Sequence, residues 1–342
     1  MWAMVIKEVR QVRRDRRTLA MMIVMPIMLL VVFGYAASFD VTRIEVAFPE
    51  GAPAGVALPD ILEPVESARS DPADILRFGD ADVVVSSGGR SGLVASIDGS
   101  ELFTARAAVQ VFTAAAVQGV PITTDILFNP ELDTSAVLVP GLAGLVLLFV
   151  GSLITSLGVV RERQAGTLEQ LAVMPLRPRD VFVGKIAPYF VVAAIDMVIV
   201  LIVGWLLFDV PFAGSIWLLA LGAVLFLFVT LGAGVLISTV SQNQGQAIQL
   251  AIMTLLPQVL LSGLIFPLES MAAGVRWIGY LLPLTYFNQI ARGVMLRGAP
   301  LEAIALPFVL LAVLGLLVFG LAVLRFRADL APSRAHDLQA VA

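Results

Sequence analysis

Two almost uncharged stretches, Leu138 to Val160 and Ile186 to Phe208, flank a loop that carries Arg161, Arg163, Arg177, Arg179 and Lys185. Each stretch exceeds twenty residues, enough for a helix to cross a hydrocarbon layer roughly 30 Å thick. Positive charge resists translocation, so the loop between them is expected on the cytoplasmic side. The rest of the chain follows the same pattern. With 59 % hydrophobic residues and a mean hydropathy of +0.94, a chain of 342 residues has more apolar surface than a soluble domain can bury, and the bilayer must be its main solvent. No cysteine is present and the lone histidine is His336, so neither a disulfide framework nor a Cys/His metal centre can be built. The net charge of -4 averages two unlike faces and does not point to nucleic acid as a partner.

Taken in order, residues 1–17 place Trp2, Val5, Ile6, Val9 and Val12 at helical spacing, with Lys7, Arg10, Arg13, Arg14 and Arg17 mostly on other faces. This reads as an amphipathic helix on the inner membrane surface, or simply as a basic flank that orients the next segment. Residues 18–39 form the first apolar run, an uncleaved first span or a signal peptide cut after Ala36. From residue 40 to 135 the chain turns acidic, with fifteen carboxylates against five arginines. Turn formers such as Gly51, Pro59, Gly88, Gly92 and Pro121 divide it into short elements,. Strands are expected at Ile44 to Phe48, Asp82 to Ser86, Leu93 to Ile97 and Ile122 to Phe128, and a helix at Glu101 to Gln118. This is a small α/β domain, without a nucleophile and base pair or a phosphate cradle.

Residues 136–326 hold the remaining runs, Leu138 to Val160, Ile186 to Phe208, Ile216 to Thr239, Ala247 to Phe266 and Ala303 to Leu324, and residues 327–342 form a tail. The fold class expected is a membrane α-helical bundle of six transmembrane helices, with the α/β domain between the first and second. Fourteen of the 22 lysines and arginines fall on the N-terminal segment, the 161–185 loop and residues 325–342. That bias places both termini and the loop in the cytoplasm and the acidic domain outside the cell membrane.

No G-x-x-x-x-G-K-[ST] phosphate loop occurs in the sequence, so ATP chemistry of that kind would belong to another polypeptide. Within the charged loop, Gly166 and Thr167 can start a short helix with Glu169 near its positive end. Leu168, Leu171 and Ala172 give it an apolar face, and Pro175 stops it. Such a helix either docks into a partner's groove or caps the bundle.

The run R-E-R-Q-A-G-T-L-E-Q-L at Arg161 to Leu171, followed by Pro175 and Gly184-Lys185, resembles the signature loop of type 2 ABC exporter permeases, the drug-efflux-like group included. Further matching blocks are Phe128-Asn129-Pro130, Val139 to Leu142, Ser238-Thr239, Gln246 to Leu250, Leu256-Pro257, Leu260 to Gly263, Phe266-Pro267, Trp277 to Gly279, Leu282 to Tyr286 and Arg292-Gly293. The resemblance implies a non-enzymatic transport subunit. Two permease chains, identical or sister chains, would work with separate ATP-binding subunits that hold ATP and Mg, in contact with membrane lipids and with no cofactor on this chain. It further implies that Arg161, Glu162, Arg163, Gly166, Thr167, Glu169 and Gln170 couple to the ATPase. The outer segment containing Pro267, Glu269, Gly279 and Pro283 would dip back toward the membrane.

Asp196, the carboxylate well inside a span, would cost roughly 2.5 to 3.5 kcal/mol facing lipid. It is therefore expected toward protein or a cavity, as a substrate-path group or as a structural hydrogen-bond partner, and Gln249 and Gln258 carry the same two readings. Met21, Met22, Met25 and Met28 read as adaptable packing in preference to a copper(I) path. The alternative to a permease is a membrane scaffold or sensor whose outer domain binds a ligand; a membrane enzyme ranks below both because no paired acids share a depth.

Overall fold

A computed structural model of the chain describes residues 27, 41–51, 59–88, 92–166 and 178–330. The expected interfacial helix, most of the first span and most of the C-terminal tail therefore lie outside the described residues. What is described forms a five-stranded α/β domain followed by a helical bundle.

In the α/β domain, β1 (Ile44–Ala47), β2 (Leu62–Val65), α1 (Pro72–Phe78), β3 (Val83–Ser87), β4 (Leu93–Asp98), α2 (Leu102–Val117) and β5 (Ile122–Leu127) follow in sequence. The sheet order is β2-β1-β3-β4-β5. Only β3 and β4 pair antiparallel, with Val83 opposite Ile97; β1 lies parallel to β2 and β3, and β4 to β5. Side chains alternate along a strand, which divides the core into two layers. Val83 and Val85 join Ile44, Val46, Ala95 and Ile97 against Ala105, Ala108 and Phe112 of α2. Val84 and Ala47 turn the other way, onto Ile75 and Leu76 of α1. Pro72 opens α1 and Gly79 closes it in the left-handed conformation,. The hairpin between β3 and β4 needs Gly92, with φ +92 and Pro121 O only 2.2 Å from where a Cβ would stand,.

The link to the bundle is held by buried Asn129. Its Oδ1 accepts from Asp133 N–H at 3.0 Å, and its Nδ2 donates to Gly99 O at 3.2 Å and Asp133 O at 3.0 Å. Asp133 then caps α3 (Thr134–Gln164) by accepting from Ser135 N–H,. After α3 come α4 (Pro178–Phe208), α5 (Ile216–Val240), α6 (Gln244–Leu261), α7 (Ala273–Gly279), α8 (Pro283–Met295) and α9 (Ala305–Leu330). Four of these contain segments long and apolar enough to cross a membrane: 134–164, 187–208, 216–240 and 305–325. At 31 residues, α3 spans about 46 Å, more than the hydrocarbon layer requires.

The fifth run, Ala247 to Phe266, forms α6, 18 residues that carry Gln244, Gln246, Gln249 and Gln258; the helix ends at Leu261 and is not among the four long apolar ones. Asn243 fixes its start by accepting from Gln246 N–H, while Gln246 Oε1 accepts from Gln242 N–H,. Gly263, at φ +77, turns the chain after its end.

The bundle is centred on α3 and α5. Phe226, Leu227, Leu147 and Leu148 share a core with Leu284, Phe287 and Ile290 of α8, and Phe226 stacks on Phe287 at 4.6 Å. By contrast, α4 and α9 expose Ile195, Trp205, Leu206, Leu316 and Leu317, the surface expected of helices facing a hydrocarbon solvent. Small residues bring the central pair together: a Cβ on Gly234 would lie 2.7 Å from Ser152 O, and one on Gly151 would lie 2.7 Å from Thr230 Oγ1,. Gly234→Ala should lower stability by about 1 to 3 kcal/mol through overpacking, read as an earlier melting transition of the solubilised protein. Gly320→Ala, where a Cβ would meet nothing within 4 Å among the described residues, should hold or raise the transition, because alanine is the better helix former.

Candidate functional site

Charged and polar residues gather at the two ends of the bundle. At one end, α3 finishes in Arg161, Glu162 and Arg163 and passes into the charged loop. Ala165 N–H bonds Arg161 O, and Gly166 N–H bonds Arg163 O at 3.2 Å. Gly166 takes φ +72, so it is the left-handed residue that closes α3. The short helix expected to start at Gly166 and Thr167 lies, beyond Gly166, outside the described residues. Thr167, Glu169 and Gln170 lie outside the described residues.

Arg161 is exposed, whereas Glu162 and Arg163 are half-buried. The Arg163 guanidinium donates to Ser238 O at 2.9 Å and Ser241 O at 3.2 Å. It thus covers carbonyls at the C-terminal end of α5, where a cation is favourable. Gln244 Nε2 donates to Gln164 Oε1 at 3.1 Å. The ends of α3 and α5 and the start of α6 are therefore tied where the charged loop begins. Nearby, Gly158 admits the Tyr189 side chain of α4, whose hydroxyl would stand 2.0 Å from a Cβ at that position. Sequence reading grouped Arg163 with the other loop cations; its partners lie more than seventy residues away and leave no local signal.

The intramembrane candidates have separate surroundings. Asp196 is half-buried on α4, and its Oδ2 is enclosed with no hydrogen-bond partner among the described residues. Gln249 is half-buried on α6. Gln258 is buried, and its Oε1 accepts from Leu284 N–H at 3.3 Å, so it caps the first turn of α8.

At the opposite end, the segment after α6 folds as a short 3-10 turn (Leu268–Ser270), α7 and α8. Pro267 precedes the turn and Glu269 lies within it. Pro283 occupies the first turn of α8 and helps to start it,. Gly279 is required by packing, since a Cβ would lie 2.4 Å from Leu261 O, and its carbonyl accepts from Thr285 Oγ1 at 2.6 Å. Arg292 in the last turn of α8 reaches back to Gly263 O at 3.2 Å and Leu264 O at 3.4 Å, and pairs with Glu101 at 3.3 Å. Arg297 approaches Asp98 at 3.5 Å, while Arg77 Nε donates to Arg297 O at 3.2 Å.

These contacts seat the α/β domain on the bundle and surround a cavity of about 310 Å³. Burial pushes the Asp82 carboxyl up to about 7, against a hydrogen bond from Glu45 N–H and with added repulsion from Glu101, Glu45 and Asp98. Asp98 is also raised, chiefly by burial, with Arg297 pulling the other way. Glu269, at the cavity edge, is raised by desolvation and by Glu101. No sequence pattern singled out this polar joint; Arg292 was visible only as part of a family-like block.

A family model described as ABC-2 family transporter protein matches residues 70–324. The probable multidrug ABC transporter permease YbhS of Escherichia coli K12 is 28 % identical, over 86 % of this chain and 88 % of the relative. The probable multidrug ABC transporter permease YbhR of the same organism is 27 % identical, over 89 % and 92 %. The inner membrane transport permease YhhJ, also from that strain, is 35 % identical over 61 % of this chain and 56 % of its own length. With the family match covering most of the chain and the four long apolar helices lying largely within it, this protein belongs to the ABC-2 family of transporter proteins.

Proposed function

We propose that this chain is the membrane-spanning subunit of an ATP-driven exporter, working with a separate ATP-binding subunit and a second permease chain. The observation that carries the reading is the tie at the loop end of the bundle. Arg163 joins α3 to α5, and Gln164 joins α3 to α6, so a push on the loop is delivered to three helices together. Helices packed this way move as a unit and do not deform gradually.

In this scheme the loop end faces the cytoplasm and the α/β domain lies outside. The first apolar run and α6 complete a set of six membrane segments, with α7 and α8 re-entering from the outer side. ATP and Mg reside on the partner, consistent with a sequence that has no phosphate loop,. Closure of the paired ATPase subunits displaces the charged loops, and the two permease chains open outward around the cargo. The word multidrug in the names of two relatives supports a drug-like cargo.

Purification of the tagged chain from its native membrane should recover an ATPase subunit whose hydrolysis is vanadate-sensitive. Recovery of the chain alone or with a signalling protein would favour the scaffold or sensor alternative. In the purified complex, Glu162→Gln and Gly166→Ala should each lower permease-stimulated ATPase activity while membrane insertion is preserved. For Gly166→Ala the left-handed backbone adds a penalty of about 1 to 2 kcal/mol. Unchanged stimulated hydrolysis and transport in both variants would remove the loop from the coupling path.

A further inference from the structure

The walls of the cavity between the α/β domain and the bundle carry unequal charge. The domain presents Glu45, Asp82, Asp98 and Glu101 with Arg43, and the bundle presents Glu269 with Arg292 and Arg297. Two of the arginines are engaged across the joint, Arg292 with Glu101 and Arg297 with Asp98. Arg43 is engaged within the domain, with Glu63 at 3.1 Å. Among the described residues no arginine pairs with Asp82, whose Oδ2 accepts from Glu45 N–H at 2.9 Å. With every acid ionised, five carboxylates would share a small volume with three arginines.

We propose that seating of the α/β domain on the bundle is linked to proton uptake, with Asp82 as the group that receives the proton. Neutral Asp82 adds no charge beside the Arg297–Asp98 and Arg292–Glu101 pairs. Ionised Asp82 places a further buried negative charge beside those pairs and weakens the hold of both,.

The direction of the pH effect follows from the position of the Asp82 carboxyl, pushed from 3.8 to about 7 by burial first and then by Glu101, Glu45 and Asp98. A carboxyl raised in the seated state holds more protons there than in a lifted, rehydrated state. Seating is therefore favoured below about pH 7 and is lost progressively as pH rises through that value. Asp98, facing Arg297 and Glu101, is shifted the same way. So is Glu269, which meets Glu101 and Glu45 across the joint and Arg276 on its own side. The inference concerns the joint itself and stands independently of ATP coupling.

Hydrogen exchange of the full chain in lipid nanodiscs tests it, with each rate normalised to the intrinsic chemical rate at that pH. In segments 98–105 and 262–271, normalised exchange should rise about threefold or more between about pH 6 and about pH 8. Asp82→Asn retains an oxygen for Glu45 N–H and should lose most of the rise. Glu45→Gln removes one repulsive neighbour and should move the midpoint to lower pH. A wild-type chain without pH dependence, a fall in place of a rise, or the full rise retained in Asp82→Asn overturns the proposal. If Asp82→Asn fails to insert, an unshifted midpoint in Glu45→Gln overturns it equally.

Discussion

Helix α8 begins and ends within the protein, where its terminal backbone groups need partners other than water. Gln258 supplies one at its start, accepting from Leu284 N–H. Thr285 uses its hydroxyl to hold the carbonyl of Gly279 just before the helix. At the far end Arg292 holds two carbonyls of the preceding loop and extends to Glu101 on the α/β domain. One buried cation thus joins α8, the turn after α6 and the domain. A lone buried charge is costly, and the carbonyls and the carboxylate offset that cost. The seat of the domain depends on this arrangement. Phe287 and Ile290 meanwhile bind the same helix to the apolar centre of the bundle.

The two ends of the bundle solve related problems with different chemistry. At the loop end, Arg163 covers the closing carbonyls of α5, and the adjacent helices approach through Gly151, Gly158 and Gly234. Those contacts favour rigid coupling of α3, α4 and α5, because a helix without side chains at the crossing leaves little room to slide. At the domain end the contacts are ionic. Such contacts shift more readily with pH and salt than apolar packing does.

How much of this could be read from the sequence depended on whether the deciding interaction was local. Val83 to Ser87 and Leu93 to Asp98 fall within a residue of their expected ranges because alternation is written into neighbouring positions. The long apolar helices were legible for the same reason. Strand β2 was missed because Leu62–Val65 is four residues long and contains Glu63 and Pro64, which weaken the apolar alternation that marks a strand. Helix α1 was missed because its seven residues are too few to display a period. The end of α6 was placed five residues late, since Leu264 to Phe266 are as apolar as the helix and only the Gly263 turn excludes them. The roles of Arg163, Gln258, Arg292 and Asp82 depend on partners distant in sequence or on burial, and no window of neighbouring residues contains either.

The central claim is that the bundle has one end for the driving subunit and another for the α/β domain, on opposite sides of a membrane. The natural absence of cysteine makes sided labelling clean. Single cysteines at Ser87 in the domain and at Gln242 in the turn between α5 and α6, both exposed, would be challenged in intact cells with a membrane-impermeant maleimide. The account predicts labelling at position 87 in intact cells and at position 242 only after the membrane is opened. Labelling of both positions in intact cells, or the reverse order, would contradict it.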